Sequence, residues 1–144
     1  MLTRFLHVTL LILVTTGIHG AATSGLVSVS DRLGMRLREG KFGVLRSLFV
    51  PMLVLSMMLV SLLEASLWGY YYFATGQLES FFDSVYFSLI TMTTVGYGDV
   101  TLHGAARITS GMQAALGVVL FGWTTAVIFM AVQAVHLRPT EQSS

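Results

Sequence analysis

The 144-residue sequence contains no cysteine, which excludes disulfides, iron–sulfur clusters, thiol catalysis and zinc sites built on thiolates. Charge is also scarce, because 10% of the residues are Asp, Glu, Lys or Arg, whereas soluble domains carry roughly a quarter. A net charge of +1 gives no electrostatic case for nucleic acid binding. We find no His-x-x-x-His pair and no paired carboxylates at one depth, so the sequence predicts no catalytic residues.

Hydrophobic residues make up 54% of the sequence, and the mean hydropathy is +0.76. In water, one small domain of this composition would expose large apolar patches, so its surface fits lipid. Three stretches are nearly free of charge: residues 5–30, residues 47–78 with one acid at Glu64, and residues 108–137. Each supplies the roughly 20 helical residues that cross a hydrocarbon core. The sequence therefore predicts an all-α membrane protein with three transmembrane helices.

The first of these stretches has two interpretations. Arg4, a short apolar run and Ala21-Ala22 also fit a cleaved signal peptide. However, five of the eight Lys and Arg residues lie between the first and second stretches, and positive charge marks cytoplasmic loops. Cleavage would leave this basic loop outside, so we favour a spanning helix with an external N-terminus. Gly17, Ala21 and Gly25 recur every fourth residue, which predicts a face for close helix packing.

The basic segment, residues 31–47, is expected to be a cytoplasmic loop or an interfacial segment. Its positive residues alternate with glycines and do not repeat along a membrane helix, which argues against a voltage sensor. We interpret them as topology determinants, with contact to anionic lipid as a further hypothesis. These residues are Arg32, Arg36, Arg38, Lys41 and Arg46.

Between the second and third stretches, residues 79–106 contain a short helix signal and then a glycine-rich run. Ser80 and Asp83 have the spacing of a helix start, because a serine oxygen can accept a free N–H near the third helical position. The apolar and hydroxyl-rich residues that follow allow about three turns, which cannot cross a bilayer. We therefore predict a re-entrant helix at residues 80–93, with the next residues lining a water-filled path or buried in protein.

The run after this helix is Thr94-Val95-Gly96-Tyr97-Gly98-Asp99. Its first five residues are the filter sequence of potassium channels, and over about residues 48–135 the chain resembles the potassium channel family built from two spans around a pore loop. Glycines at alternate positions can take positive φ without steric cost, so that successive carbonyls face one path. The resemblance implies that residues 94–97 bind K⁺ through their carbonyls, with the Thr94 hydroxyl as a further ring.

The resemblance also implies a homotetramer with one four-fold pore and K⁺ as the permeant ion, without any cofactor. The expected organisation is an N-terminal transmembrane helix at 1–30, the basic segment at 31–47, a pore domain at 48–137 and a tail at 138–144. The pore domain divides into an outer helix at 48–74, the pore helix at 80–93, the filter at 94–98 and an inner helix at 107–135. The basic segment and the C-terminus are expected to be cytoplasmic and the pore mouth external, in the plasma membrane of a bacterium.

Tyr86 falls where relatives often carry a tryptophan that bonds the aspartate after the filter. We therefore expect a hydrogen bond from Tyr86 to Asp99, and the alternative is that Asp99 is simply solvated at the pore mouth. Some bacterial channels place a carboxyl in the pore helix to share a proton with this aspartate. Here that position holds Ile90, so no acid pair is available.

Gly117 lies close to the place where the family resemblance predicts a bend in the inner helix. It is the hinge candidate, and close helix packing is the alternative. If Gly117 faces the pore axis, then Phe121, Thr125 and Phe129 follow it at four-residue steps on the same face. A ring of four Phe129 side chains would then close the pore by excluding water.

Glu64 lies inside the second stretch, where a carboxylate is costly, so it is expected to face protein. We predict a buried acceptor that ties the outer helix to the pore helix or to the inner helix. The alternative is an acid that reaches a water pocket near the outer surface. The expected donors on the two neighbouring helices are Ser88, Thr91, Trp123 and Thr124.

The sequence leaves competing functions. The first is a homotetrameric potassium-selective channel. The alternatives are an ion-coupled transporter subunit and an accessory or regulatory subunit of a larger cation channel or transporter. A single pore loop argues against the transporter, because four unlike loops in one long chain are usual there. An intact filter argues against a silent accessory subunit, which would have no need of it.

Overall fold

The computed structural model describes residues 2–39 and 43–136, and in these ranges every regular element is a helix. Their bounds are α1 (Leu2–Glu39), α2 (Gly43–Ala74), α3 (Phe81–Met92) and α4 (Ala106–His136). Three segments are long and apolar enough to cross a membrane: Thr3–Arg32, Ser47–Ala74 and Ala106–Gln133. The three predicted spans are confirmed at this level, and the shorter α3 lies between the second and third of them.

The basic segment, predicted as a cytoplasmic loop or an interfacial segment, is mostly helical. Residues 31–39 continue α1, and α2 begins at Gly43, so that most of the segment is helical. The physical reason is composition, because Leu, Met, Arg and Glu are strong helix formers and dominate residues 31–39. Arg32 is exposed at the end of the first span. Lys41 and the side chains of Arg36, Arg38 and Arg46 lie outside the described residues.

Layers of buried side chains show how the helices are arranged. Val8 of α1 shares one apolar cluster with Trp68 of α2 and with Leu102 and Ala106 near the start of α4. At the other end of the bundle, Phe49, Leu53 and Ala131 form a second cluster with Leu26 packed against it. Helix α1 is therefore antiparallel to α2 and parallel to α4. Its N-terminus lies on the same side as the connection between α3 and α4.

The helix α3 sits against α2 and α4 at two glycines. A Cβ added to Gly69 of α2 would lie 2.7 Å from the Cα of Val85, and one added to Gly117 of α4 would overlap the carbonyl oxygen of Met92. These glycines allow the two long helices to approach the backbone of α3. By contrast, the predicted packing face of Gly17, Ala21 and Gly25 is exposed in this chain, and α1 packs through another face.

Candidate functional site

Helix α3 has a capped start and a tightly closed end. The hydroxyl of Ser80 accepts a hydrogen bond from the Asp83 N–H at 3.3 Å, which confirms the predicted N-cap. At the other end Thr93 is the C-cap, and its N–H donates to the Leu89 carbonyl. The last turn contains no basic residue. The negative end of this helix therefore points, without a neutralising charge, toward the residues that follow.

Residues 94–98 alternate between two backbone conformations. Positive φ occurs at Thr94 (61°), Gly96 (52°) and Gly98 (81°), and not at Val95 or Tyr97. This alternation is the one predicted for the two glycines. In an ordinary extended strand, successive carbonyl groups point to opposite sides. The alternating sign of φ removes this reversal, so that successive carbonyl groups point to the same side of the strand. The segment thus presents a row of backbone oxygen atoms that could bind a cation.

The positive φ of Thr94 was not predicted from the sequence. A residue with a Cβ pays roughly 1–3 kcal/mol in this region, so the surrounding hydrogen bonds must hold it. The Thr94 N–H donates to the Thr91 carbonyl at 3.0 Å, and the Gly96 N–H donates to the Ile90 carbonyl at 3.0 Å. Both bonds close the end of α3 as a left-handed residue closes many helices. The inner part of residues 94–98 is therefore fixed by α3.

Residues 93–99 are exposed in the single chain. Val95 and Tyr97, the two non-glycine residues without positive φ, have 52% and 73% of their surface exposed. An irregular backbone segment with exposed apolar side chains does not form a closed site by itself. Any ring of oxygen atoms around an ion would need the same segment from further chains.

The predicted hydrogen bond between Tyr86 and Asp99 is present. The Tyr86 hydroxyl donates to Oδ2 of Asp99 at 2.7 Å, and the Val100 N–H donates to Oδ1 at 3.0 Å. The bond from Tyr86 holds the pKa of the Asp99 carboxyl below its usual value, because it stabilises the charged form. The tyrosine therefore joins α3 to the residue that ends the 94–98 segment.

A buried hydrogen-bond chain behind α3 was missed by the sequence analysis. The Tyr72 hydroxyl of α2 donates to Oε1 of Gln113 on α4 at 2.8 Å. Nε2 of Gln113 donates to the Ser88 hydroxyl of α3 at 2.7 Å, and that hydroxyl donates to the Ala65 carbonyl of α2 at 2.6 Å. The chain starts and ends on α2 and joins three helices. A glutamine in an otherwise apolar span was the available signal.

The partner predicted for Glu64 was wrong. Glu64 is fully buried, as expected, but its Oε1 lies 3.0 Å from Nδ1 of His19 on α1. Successive helical residues point about 100° apart, so while Ala65 faces α3 and Ser88, Glu64 faces α1. The four expected donors do not reach the Glu64 carboxyl: Ser88, Thr91, Trp123 and Thr124.

Two of these four residues contact His19 instead. The Thr124 hydroxyl lies 3.1 Å from Nε2 of His19. The Trp123 ring meets the imidazole edge at a centroid distance of 5.4 Å, and 38% of its surface is exposed. Trp123 therefore contacts α1 and does not brace the residues around 94–98.

The proposed face of Gly117, Phe121, Thr125 and Phe129 is divided in this structure. Helix α4 is continuous through Gly117, which is buried against α3. Phe121, Thr125 and Phe129 are exposed, and Phe129 has 60% of its surface exposed. The reason is geometric, because three four-residue steps rotate the direction by roughly 120° in an α-helix.

Comparison with known protein families identifies the central and C-terminal part of the chain. A protein family model described as "Ion channel" matches residues 57–134, more than half of the chain. The matched range includes part of α2, all of α3, the 94–98 segment and most of α4, and it leaves α1 outside. No curated protein and no solved structure matches the chain.

Proposed function

Since this chain belongs to the ion channel family with two membrane helices around a pore loop, we propose that it is a potassium-selective channel with residues 94–98 as its filter. The chain is an integral membrane protein with three apolar helices. In this proposal α2 is the outer helix, α3 the pore helix and α4 the inner helix. The observation that supports it most is the alternation of φ at Thr94, Gly96 and Gly98.

Selectivity would come from backbone oxygen atoms. In potassium channels, rings of carbonyls from Thr-Val-Gly-Tyr-Gly replace the hydration shell of the ion. The corresponding carbonyls here belong to residues 94–97, and the Thr94 hydroxyl would supply one further ring. The hydrogen bonds from the Thr94 and Gly96 N–H groups to α3 support this geometry, because they fix the strand without using the oxygen atoms that an ion would need.

The electrostatics of α3 favour a cation at the inner end of the proposed filter. The partial negative charge at a helix C-terminus amounts to about half an elementary charge. Helix α3 carries Asp83 in its first turn, where the acid offsets the positive end of the dipole. Its last turn contains no basic residue, so the negative end is not neutralised. Four such helices around an axis would stabilise a K⁺ ion before it enters the filter.

We propose a homotetramer, because one chain supplies only one side of the ion path. The exposure of residues 93–99 and of Phe121 and Thr125 supports it, since these would be the surfaces that face the axis and the neighbouring chains. Closed rotational symmetry is the usual solution for such contacts. Phe121 or Phe129 would form the apolar constriction at the inner end. The hinge role of Gly117 stays a prediction.

We propose the plasma membrane of a bacterium as the location, with the pore mouth and the N-terminus outside. Positive charge between α1 and α2 supports this orientation. The exposed Arg32 at the end of the first span would contact anionic lipid, together with Arg36, Arg38, Lys41 and Arg46.

Ion flux from liposomes that contain only the purified protein tests the proposal. We expect K⁺ efflux that exceeds Na⁺ efflux, and we expect Gly98→Ala to abolish the difference, because a Cβ disfavours the φ of 81°. Gly76→Ala is the matched control, since Gly76 has a φ of 66° outside the proposed filter. Equal K⁺ and Na⁺ efflux in the parent, or selectivity retained in Gly98→Ala, would refute the filter. No flux without a second protein would favour an accessory subunit.

A further inference from the structure

Helix α1 lies outside the range matched by the ion channel family, yet it packs against both α2 and α4. Four of its buried side chains are polar: Thr15, His19, Thr23 and Ser30. The three hydroxyl groups donate to carbonyl oxygens of α1 itself. His19 differs, because each of its ring nitrogens is bonded to a different neighbouring helix.

His19, Glu64 and Thr124 form what we call the His19 joint. Nδ1 of His19 lies 3.0 Å from Oε1 of Glu64 on α2, and Nε2 lies 3.1 Å from the hydroxyl of Thr124 on α4. His19 and Glu64 are fully buried. The second carboxyl oxygen of Glu64, Oε2, is buried without a hydrogen-bond partner. A negative charge on this carboxyl is therefore poorly compensated, since only one of its oxygens is bonded.

The number of protons on His19 and Glu64 sets the charge of the joint. A neutral imidazole beside an ionised carboxyl leaves one negative charge inside the membrane-spanning bundle. One added proton makes the pair neutral, either as imidazolium and carboxylate or as imidazole and carboxylic acid. Both neutral forms keep the 3.0 Å contact and let Nε2 donate to the Thr124 oxygen. Because a net charge in the membrane interior is costly, the joint favours the form with the added proton.

Other charges are too distant to replace this proton. Among the described side chains of α1 and α4, the other charged or histidine residues lie at least about 18 Å along the helix axis from the joint, at 1.5 Å per residue. They are Arg4, His7, Asp31, Arg32 and Arg107. In the described part of α2 and in α3, the other ionisable groups lie toward the outer end, where Tyr72 and Tyr86 are already hydrogen-bonded: Tyr70, Tyr71, Tyr72, Asp83 and Tyr86.

We propose that the His19 joint is a binding site for one proton, and that its occupancy holds α1 against the inner helix α4 and so regulates the channel. Loss of the proton leaves a buried negative charge between three helices, which weakens the contact of α1 with Thr124 and Trp123. The affected part of α4 lies between Phe121 and Phe129, the candidate constriction residues. The regulatory part rests on the proposed channel function, whereas proton binding does not.

A groove lies beside the joint. It has a volume of about 330 Å³ and runs along the contact between α1 and α4, where Thr23, Ser24 and Trp123 contribute to its lining. Thr23 lies one helical turn from His19, and Trp123 contacts the His19 ring.

Cysteine labelling tests proton binding without any need for conduction. The protein has no cysteine, so Thr23→Cys and Ser24→Cys each introduce one thiol at a known position. Thr23 lies against α4 with 2% of its surface exposed, whereas Ser24 is exposed. The measured quantity is the ratio of their reaction rates with a small permeant maleimide. Because burial raises the pKa of a thiol, this ratio includes a contribution from thiol ionisation, which the same ratio in a Glu64→Gln background measures. Between about pH 6 and about pH 9, where imidazole and shifted carboxyl groups titrate, we expect the ratio to rise with pH. In a Glu64→Gln background, which keeps the joint neutral, the rise should be smaller.

Liposome flux at the same pH values tests the regulatory part. We expect the K⁺ flux of the parent protein to change with pH. In the Glu64→Gln variant, the change at the alkaline end of the pH range should be absent. Glu79→Gln, which removes an exposed acid between α2 and α3, should keep it. A labelling ratio independent of pH, or one that rises equally in Glu64→Gln, would overturn the proton site. A rising ratio with pH-independent flux would overturn the regulation. Absence of all flux would count against the channel proposal alone, because labelling does not depend on it.

Discussion

Gln113 of α4 donates a hydrogen bond to the Ser88 hydroxyl at 2.7 Å and so joins α4 to α3, the helix that precedes the proposed filter. Both residues are fully buried. The same glutamine accepts a hydrogen bond from Tyr72, and Ser88 donates to the Ala65 carbonyl. Every side chain of this hydrogen-bond network therefore has a partner. A complete buried network of this kind specifies one position of α3 relative to both long helices.

Replacing Gln113 by leucine should loosen the proposed filter. The Tyr72 hydroxyl would lose its acceptor, and each buried polar group left unpaired costs about 1–3 kcal/mol. We expect a lower melting temperature of the purified protein and a lower ratio of K⁺ to Na⁺ flux. Gln133→Leu, an exposed glutamine near the end of α4, is the control and should leave both unchanged. An altered melting temperature with unaltered selectivity would separate the network from the filter.

Removing the Tyr86 hydroxyl should make the proposed pore more sensitive to external acid. The hydrogen bond from Tyr86 lowers the pKa of Asp99. The stabilisation from this bond is therefore fully present above the usual carboxyl pKa, and it is lost as the pH falls through the lowered pKa. Without the donor, Asp99 takes up a proton at a higher pH, and the mouth loses a negative charge that attracts cations. Tyr86→Phe should therefore lose K⁺ flux at a higher external pH and show faster decay of current.

Tyr70→Phe provides the comparison for this experiment. Tyr70 lies on α2 with 61% of its surface exposed, and it is far from Asp99 in the sequence. Its variant should keep the pH profile of the parent. If the profiles of Tyr86→Phe and the parent coincide, the Tyr86–Asp99 bond has no effect on conduction.

Gly117→Ala distinguishes a hinge from a packing contact. The added Cβ would overlap the Met92 carbonyl oxygen, so α3 or α4 must shift. Packing predicts reduced selectivity and a lower melting temperature, whereas a hinge predicts a lower open probability with selectivity unchanged. Gly111→Ala adds the same methyl group on α4 where nothing lies within 4 Å. It should be neutral or stabilising by up to about 1 kcal/mol, because alanine favours helix.

Local features were predictable from the sequence because short-range chemistry determines them. The three spans follow from apolar runs that are longer than a bilayer requires. The N-cap of α3 follows from the spacing of Ser80 and Asp83, and the positive φ values at 96 and 98 follow from the two glycines there. The bond between Tyr86 and Asp99 was predicted from the family resemblance and spans only 13 residues.

The partners of Glu64 were not predictable in the same way. Its side chain differs in direction from that of Ala65 by about 100°, so one residue decides whether the carboxyl meets α3 or α1. His19 lies 45 residues from Glu64 in the sequence, on α1. Thr124, the second partner of His19, lies on α4. The family resemblance also gave no guide, because α1 lies outside it. Contacts between helices require the rotation of each helix, which composition does not specify.

The pair of His19 and Glu64 gives the last prediction, a double-mutant cycle. His19→Leu leaves a buried carboxyl unpaired, and Glu64→Leu leaves a buried imidazole with one partner fewer. Breaking a buried ion pair from one side costs about 3–5 kcal/mol, whereas replacing both members by apolar residues is often nearly neutral. We therefore expect each single variant to lower the stability of the purified protein strongly and the double variant to recover most of the loss.

The control cycle pairs Glu64→Leu with His7→Leu, because His7 is an exposed histidine on the same helix three turns from His19. These two changes should add, since distant sites without shared partners are independent within about 0.5 kcal/mol. Denaturation in detergent at fixed pH measures all the variants. If the His19 and Glu64 variants also add, the 3.0 Å contact does not couple α1 to α2. The other contacts of α1, which include the hydrogen bond from Trp68 Nε1 to the Thr15 hydroxyl, then hold it against α2.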